Sequence, residues 1–269
     1  MLKVRSDILD AVDRQNIVFV VLLDLSAAFD TIDHDILIHR MKLGFGICGK
    51  ALQWISSYLK CRTSQVHIDG IYSDSHVLDY GVPQGSVKGP LDFVVYTTPV
   101  GTIIRRHELN YHVYADDTQI YVSFDPNVSG SYKTALSKLE KCICELKDWM
   151  GNNKLKLNPG KTEFFIAGTY QSLKKIPPVT LKVDDNIIVP SDTVRNLGIV
   201  FDKHMTMTPH INSLISSLNS HLRNVRRISR YLDKETKHSV VRALVLSRQD
   251  YGNALLYVPI LIFHNSCAK

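Results

Sequence analysis

Seven consecutive apolar residues, Ile17–Leu23 (IVFVVLL), end abruptly at Asp24. A run this short and this rich in β-branched side chains predicts a strand buried on both faces. Helical spacing follows, with Ile36, Leu37 and Met41 predicting a helix over 34–43 and Leu52, Ile55 and Leu59 a second over 49–60. Residues 65–79 alternate around Asp69-Gly70, which predicts a hairpin. Tyr80–Pro90 (YGVPQGSVKGP) is a loop dense in Gly and Pro, and an apolar stretch runs on to Ile104. Residues 111–124 (YHVYADDTQIYVSF) alternate on both sides of Asp116-Asp117, so they read as a hairpin with two carboxylates at its bend.

The clearest helix is 131–150, with Leu136, Leu139, Ile143, Leu146 and Met150 on one stripe. A turn at Asn158-Pro159-Gly160 leads into a strand over 162–167, and short strands are expected near 179–189 and 194–201. A long amphipathic helix fits 209–232, with Ile211, Leu214, Leu218, Leu222 and Val225 inward and Arg223, Arg226, Arg227 and Arg230 outward. No repeat or low-complexity tract interrupts the chain. The Pro-rich piece 174–178 is the best place for a loose connection.

Composition adds two points. The 269 residues suffice for one large or two ordinary domains, and 45% hydrophobic with 22% charged residues is ordinary globular composition. The net charge of +6 is not spread evenly: between Lys203 and Arg242 stand eight Lys/Arg against Asp233 and Glu235, so this segment alone carries the whole excess. A solvated helix face and a polyanionic partner both fit that patch. The five cysteines (Cys48, Cys61, Cys142, Cys144 and Cys267) are odd in number and form no CxxC pair, which supports neither a disulfide framework nor a zinc site. The expected setting is intracellular, in nucleus or cytoplasm, with no secretion signal and no apolar run long enough to span a bilayer.

The carboxylates are where chemistry is expected. Asp116 and Asp117 alone read as an exposed turn. Asp24 ends a buried run, where a charge is costly unless it is solvated, paired or bound to a cation. Three carboxylates from two strands suit hard divalent ions, and two such ions can stabilise both oxygens of an in-line phosphoryl displacement. That chemistry alone leaves polymerase, nuclease and phosphodiesterase open.

Five segments occur in order: Val21–Leu37 (VLLDLSAAFDTIDHDIL), Tyr80–Leu91 (YGVPQGSVKGPL), Tyr114–Asp117 (YADD), Leu157–Thr162 (LNPGKT) and Val194–Ile199 (VRNLGI). Together they resemble the successive palm motifs of reverse transcriptases, in wording closest to non-LTR (LINE-type) retrotransposons. The resemblance implies an α+β fold: a polymerase right-hand palm, an antiparallel sheet backed by helices, over 1–202 with partial fingers, and a partial helical thumb over 203–269. It implies RNA-directed DNA polymerase activity with an RNA template, a DNA primer and deoxynucleoside triphosphates, and two Mg²⁺ ions, with Mn²⁺ as a substitute. Asp24, Asp116 and Asp117 would be metal ligands and Leu25 would lend its backbone. Phe29 would exclude a 2′-hydroxyl. Pro83, Gln84 and Gly85 would form the loop under nucleotide and template, and Lys161 would stand near the triphosphate. Val194–Ile199 resembles the primer grip, and the basic helix with Arg223, Arg226, Arg227 and Arg230 resembles the thumb that tracks a duplex backbone.

The chain also departs from that family. Lys88 and Asp92 stand where members carry apolar residues, Tyr96-Thr97-Thr98-Pro99 replaces the usual continuation, and the stretch after Tyr257 stops resembling it. Fingers motifs and an endonuclease domain are expected to be missing. The alternative reading is therefore a catalytically dead remnant that binds nucleic acid through its basic thumb. Oligomeric state has no signature in the sequence.

Overall fold

The computed structural model describes residues 1–256 apart from 27, 28, 84, 159 and 185. The expected site residue Gln84, and Cys267 with the stretch after Tyr257, lie outside the described residues.

The chain opens with α1 (Leu2–Asp13), β1 (Ile17–Leu23), β2 (Leu25–Ser26), α2 (His34–Phe45) and α3 (Gly49–Leu59). Two nested hairpins follow: β3 (Arg62–Ser64) pairs with β6 (His76–Leu78), and β4 (His67–Ile68) with β5 (Ile71–Tyr72). Next come α4 (Gly89–Arg106), β7 (Asn110–Tyr114), β8 (Asp117–Phe124), α5 (Ser131–Asn152), β9 (Lys156–Leu157), β10 (Glu163–Ala167) and α6 (Tyr170–Leu173). Two more hairpins, β11 (Leu181–Val183) with β12 (Asn186–Ile188) and β13 (Thr193–Asn196) with β14 (Ile199–Asp202), precede the terminal helices. These are α7 (Thr208–Ile228), α8 (Lys234–Val241), a π-helical segment (Arg242–Leu246), α9 (Ser247–Asp250) and α10 (Asn253–Leu256).

The central sheet has order β10-β1-β8-β7, antiparallel throughout. Because successive strand side chains alternate, β1 feeds two cores. Ile17, Phe19, Val21 and Leu23 join Leu37 of α2, Phe93 and Ile104 of α4, and Leu139, Ile143 and Leu146 of α5. Val18 and Val20 face the other way, into Val4 and Ile8 of α1, Phe165, Val194, Ile199 and Phe201. The expected two-sided burial of this strand is observed, as are the helices backing one face. Helix α1 on the second face has no counterpart among the elements expected from the sequence.

Two expectations on α7 need correction. Val225 is buried and Leu214 and Leu218 are half-buried, but Ile211 and Leu222 are 37% and 45% exposed. His210 takes the inward place instead, since its buried ring packs against the β13–β14 hairpin through Val200. Helix α4 carries the unexpected Pro99 in its interior. Just before it, the Thr97 and Thr98 hydroxyls bond back to the carbonyls of Phe93 and Val94 at 2.9 and 3.0 Å. Among the described residues the four cysteines are free, and no helix is long and apolar enough to cross a membrane.

Candidate active site

The carboxylates come together through strand register. In the β1–β8 ladder Leu22 lies opposite Gln119 and Leu23 opposite Thr118. Asp24 is the next residue after Leu23 and Asp117 the residue before Thr118, and both line one cavity. The β7–β8 turn is two residues, Ala115 and Asp116, closed by the Tyr114–Asp117 pair. Ala115 takes a left-handed φ of 52°, a conformation that costs a non-glycine residue on the order of 1–2 kcal/mol. Electrostatics agree with the register. Desolvation, then the charges of Asp116 and Asp24, push the Asp117 carboxyl above the usual carboxylate range.

The 158–161 turn closes over Asp24. Asn158 N–H donates to the Asp24 carbonyl at 2.9 Å and its amide to Asp24 Oδ2 at 3.4 Å. Lys161 N–H and Thr162 Oγ1 donate in turn to the Asn158 carbonyl at 3.2 and 3.0 Å. This brings the exposed Lys161 ammonium to 3.6 Å from Asp24 Oδ2. Leu25 is buried, and β2 pairs it with Leu157 of β9.

A cavity of about 380 Å³ is walled by Asp24, Asp117, Gln119, Lys161, Glu163 and Arg195, among others. Gln119, Glu163 and Arg195 were not among the residues expected at the site. Gln119 is fully buried, and its amide donates to Asn196 Oδ1 at 2.6 Å while its own Oε1 has no partner. This bond fastens β8 to the β13–β14 hairpin, two residues from Asp117. Glu163 lies across the sheet from Leu22. Burial raises its carboxyl, partly offset by a backbone N–H from Arg195. The signal in the sequence is that Glu163 directly follows the 157–162 motif and Arg195 stands inside the 194–199 motif; the period-2 pattern cannot show which strand neighbours are polar partners.

Phe29, Pro83 and Gly85 are not among the walls of that cavity. They form a neighbouring shelf. Val82 N–H donates to Phe29 O at 2.9 Å, Gly81 N–H to Ile32 O at 2.8 Å, and Asp33 bridges Tyr80. Gly81 has φ +83°, and a Cβ there would sit 3.0 Å from the Asp30 carbonyl oxygen, so only glycine allows this approach. The ring of Phe29 packs against Phe93 at 4.9 Å. Pro83 O accepts from Ser86 Oγ at 2.7 Å, which turns the loop into α4. Gly85 is exposed with φ +78° and open space around it. Arg223, Arg226, Arg227 and Arg230 are exposed at the far end of α7 and in the turn after it, outside this cavity.

Carboxylate oxygens at the ends of the two interior strands are chemistry that fits a hard divalent cation. Among the described residues no three His, Cys, Asp or Glu side chains converge as they stand; the Lys161 ammonium is the cation beside Asp24.

Residues 5–201 match the reverse transcriptase (RNA-dependent DNA polymerase) family. The chain belongs to that family. Among similar proteins, the probable RNA-directed DNA polymerase from transposon BS of Drosophila melanogaster is 31% identical over 213 residues, 77% of this chain and 22% of that protein. The RNA-directed DNA polymerase from mobile element jockey of the same organism is 27% identical, again over 77% and 22%. This reverse transcriptase chain thus spans about a fifth of the length of these relatives. Telomerase from Candida tropicalis shares the fold. A form truncated of its C-terminal domain gives a TM-score of 0.53 at 14% identity, covering 77% of this chain and 39% of that one. The complex with a telomeric RNA fragment gives 0.55 at 14%, covering 91% and 41%.

Proposed function

We propose that this domain carries out RNA-templated DNA synthesis by nucleotidyl transfer. The observation that carries the reading is that Asp24, just past β1, and Asp117, at the start of β8 next to Asp116, line one cavity. Related proteins named as RNA-directed DNA polymerases from mobile elements, and the telomerase complex with RNA, support it. Asp24, Asp116 and Asp117, with the Leu25 backbone, would hold two Mg²⁺ or Mn²⁺ ions. When bound, such ions neutralise charge on the attacking and leaving oxygens. The protein's own groups do the rest. Asn158 orients Asp24, and Lys161 stands where its ammonium can turn from Asp24 to a triphosphate. Phe29, held against Phe93, is a rigid wall against a 2′-hydroxyl, and the Pro83–Gly85 loop lies under the base pair. The β13–β14 hairpin holds the primer end and α7 follows the duplex.

The test is extension of a DNA primer on an RNA template with Mg²⁺. Wild type should extend, and Asp24→Asn and Asp117→Asn should fall by several orders of magnitude. A second reading is binding without catalysis, favoured by the exposed arginines of α7, none of which has an acidic partner among the described residues. Hybrid binding with no extension at any metal concentration would select it.

A further inference from the structure

Between the β13–β14 hairpin, α7 and α9 lies a second cavity, of about 610 Å³. Its walls include Arg195, His210, Ser213, Ser217, Ser247 and Arg248, and among the described residues no Asp or Glu. Arg195 is the partition, since it also walls the catalytic cavity. The Arg195 charge, after burial, holds the His210 imidazole below the usual range, whereas Glu163 is met by the backbone N–H of residue 195.

Beside the apolar Leu214 and Ala243, the polar wall groups are mainly donors. The His210 ring is buried, and its Nδ1 accepts from Val200 N–H at 3.5 Å; the ring proton of the neutral form therefore sits on Nε2. Arg248 Nη1 donates to Ser217 Oγ at 3.3 Å, leaving the rest of its fork free. Neither arginine has an acidic partner among the described residues. Tyr251 closes the rim by donating to Leu197 O at 2.6 Å.

Two guanidinium groups, an imidazole N–H and the hydroxyls of Ser213 and Ser217 call for an anion with several free oxygens, while Ser247 Oγ donates to the Ala243 carbonyl at 2.5 Å. A strand's internal phosphodiester has one charge and two esterified oxygens. A phosphomonoester has close to two charges at neutral pH and three free oxygens, and paired arginines bind such a group in a forked geometry. We propose that this cavity binds a phosphomonoester, the terminal phosphate of a nucleic-acid strand or of a free nucleotide. The proposal is independent of nucleotidyl transfer.

The experiment uses the full chain and titration calorimetry, with ¹H–¹⁵N spectra of the His210 ring as a local reporter. The probes are adenosine, AMP, and one short oligonucleotide with and without a 5′-phosphate, at salt high enough to screen the backbone contacts of α7. The phosphorylated member of at least one pair should bind roughly tenfold tighter or more and shift His210. Arg248→Gln should abolish that preference and Arg248→Lys restore part of it. Arg248 is exposed, so neither variant threatens folding, and unfolding midpoints confirm that. A preference for AMP identifies a free nucleotide; a preference for the strand alone identifies a nucleic-acid end. Equal binding within both pairs, or a preference that survives Arg248→Gln, overturns the site. No preference in the wild-type protein, with its primer extension intact, rejects this site only. Loss of extension with the preference intact rejects only the polymerase reading.

Discussion

Asp92 is a carboxylate with 0% exposure in the first turn of α4; Lys88 bonds one of its oxygens, and the other has no partner. The spacing of four was legible in the sequence, and so was the possibility of pairing. What the sequence could not show is the asymmetry. Lys88 keeps part of its side chain in water and its ammonium lies 5.6 Å from the Tyr58 ring centroid, while Asp92 has no route to solvent. Replacing a buried pair by apolar residues is often stabilising. Lys88→Leu with Asp92→Leu should therefore raise unfolding free energy by about 1–4 kcal/mol. Lys88→Leu alone should be the worst variant, because it strands the buried carboxylate. A denaturant double-mutant cycle checks this ordering, and a double mutant no more stable than wild type would contradict it. The pH dependence has a definite sign. Burial raises the Asp92 carboxyl against the opposing pull of Lys88, so the native state holds this proton more tightly than the unfolded chain. Between the unfolded and folded pKa values its contribution to stability therefore falls as pH rises. Asp92→Leu should remove that component of the acid-side profile.

At the scale of elements, strong periodicity was a good guide and interrupted periodicity was not. The expected helix over 131–150 is Ser131–Asn152, and the expected helix over 209–232 is Thr208–Ile228 followed by a 3₁₀ turn. Helix α1 escapes the pattern although Val4, Ile8, Ala11 and Val12 lie on one face. Six charged residues (Lys3, Arg5, Asp7, Asp10, Asp13 and Arg14) flank and interleave its apolar positions, and only packing on the sheet reveals which side wins. Helix α4 is illegible for another reason, since Pro99 argues against it. The β13–β14 hairpin was legible as strands, but its fastening was not. The Gln119–Asn196 bond spans 77 positions. Asn196→Leu leaves the fully buried Gln119 donor unpaired and should destabilise by about 1–3 kcal/mol. Gln119→Leu with Asn196→Leu should recover most of that in thermal or denaturant unfolding. Additive losses would mean that the two amides act separately. The exposed arginines of α7 and its following turn belong at this scale too. Changing Arg223, Arg226, Arg227 and Arg230 to Ala should lower the slope of log affinity against log salt for an RNA–DNA hybrid by roughly 0.7–0.9 for each phosphate these side chains neutralise. An unchanged slope would leave them a solvated face.

For the whole molecule, the ordered motifs carried the fold class, and the antiparallel pairing of β1 with β8 brings Asp24 and Asp117 to the wall of one cavity. The motifs did not show that two cores, one on each face of a single sheet, hold that pairing in place. They also did not show that Glu163 and Arg195 share the cavity with Asp24 and Asp117. The central claim requires negative charge gathered at one place; burial first, and then the charges of Asp116 and Asp24, raise the Asp117 carboxyl. The most direct test is Mn²⁺ binding to the purified chain, followed by calorimetry and electron paramagnetic resonance, since it needs neither template nor turnover. Wild type should bind Mn²⁺, Mg²⁺ should compete, and Asp24→Asn and Asp116→Asn should each abolish the same binding event. Mn²⁺ binding unchanged by either substitution would contradict a shared cation site at these carboxylates.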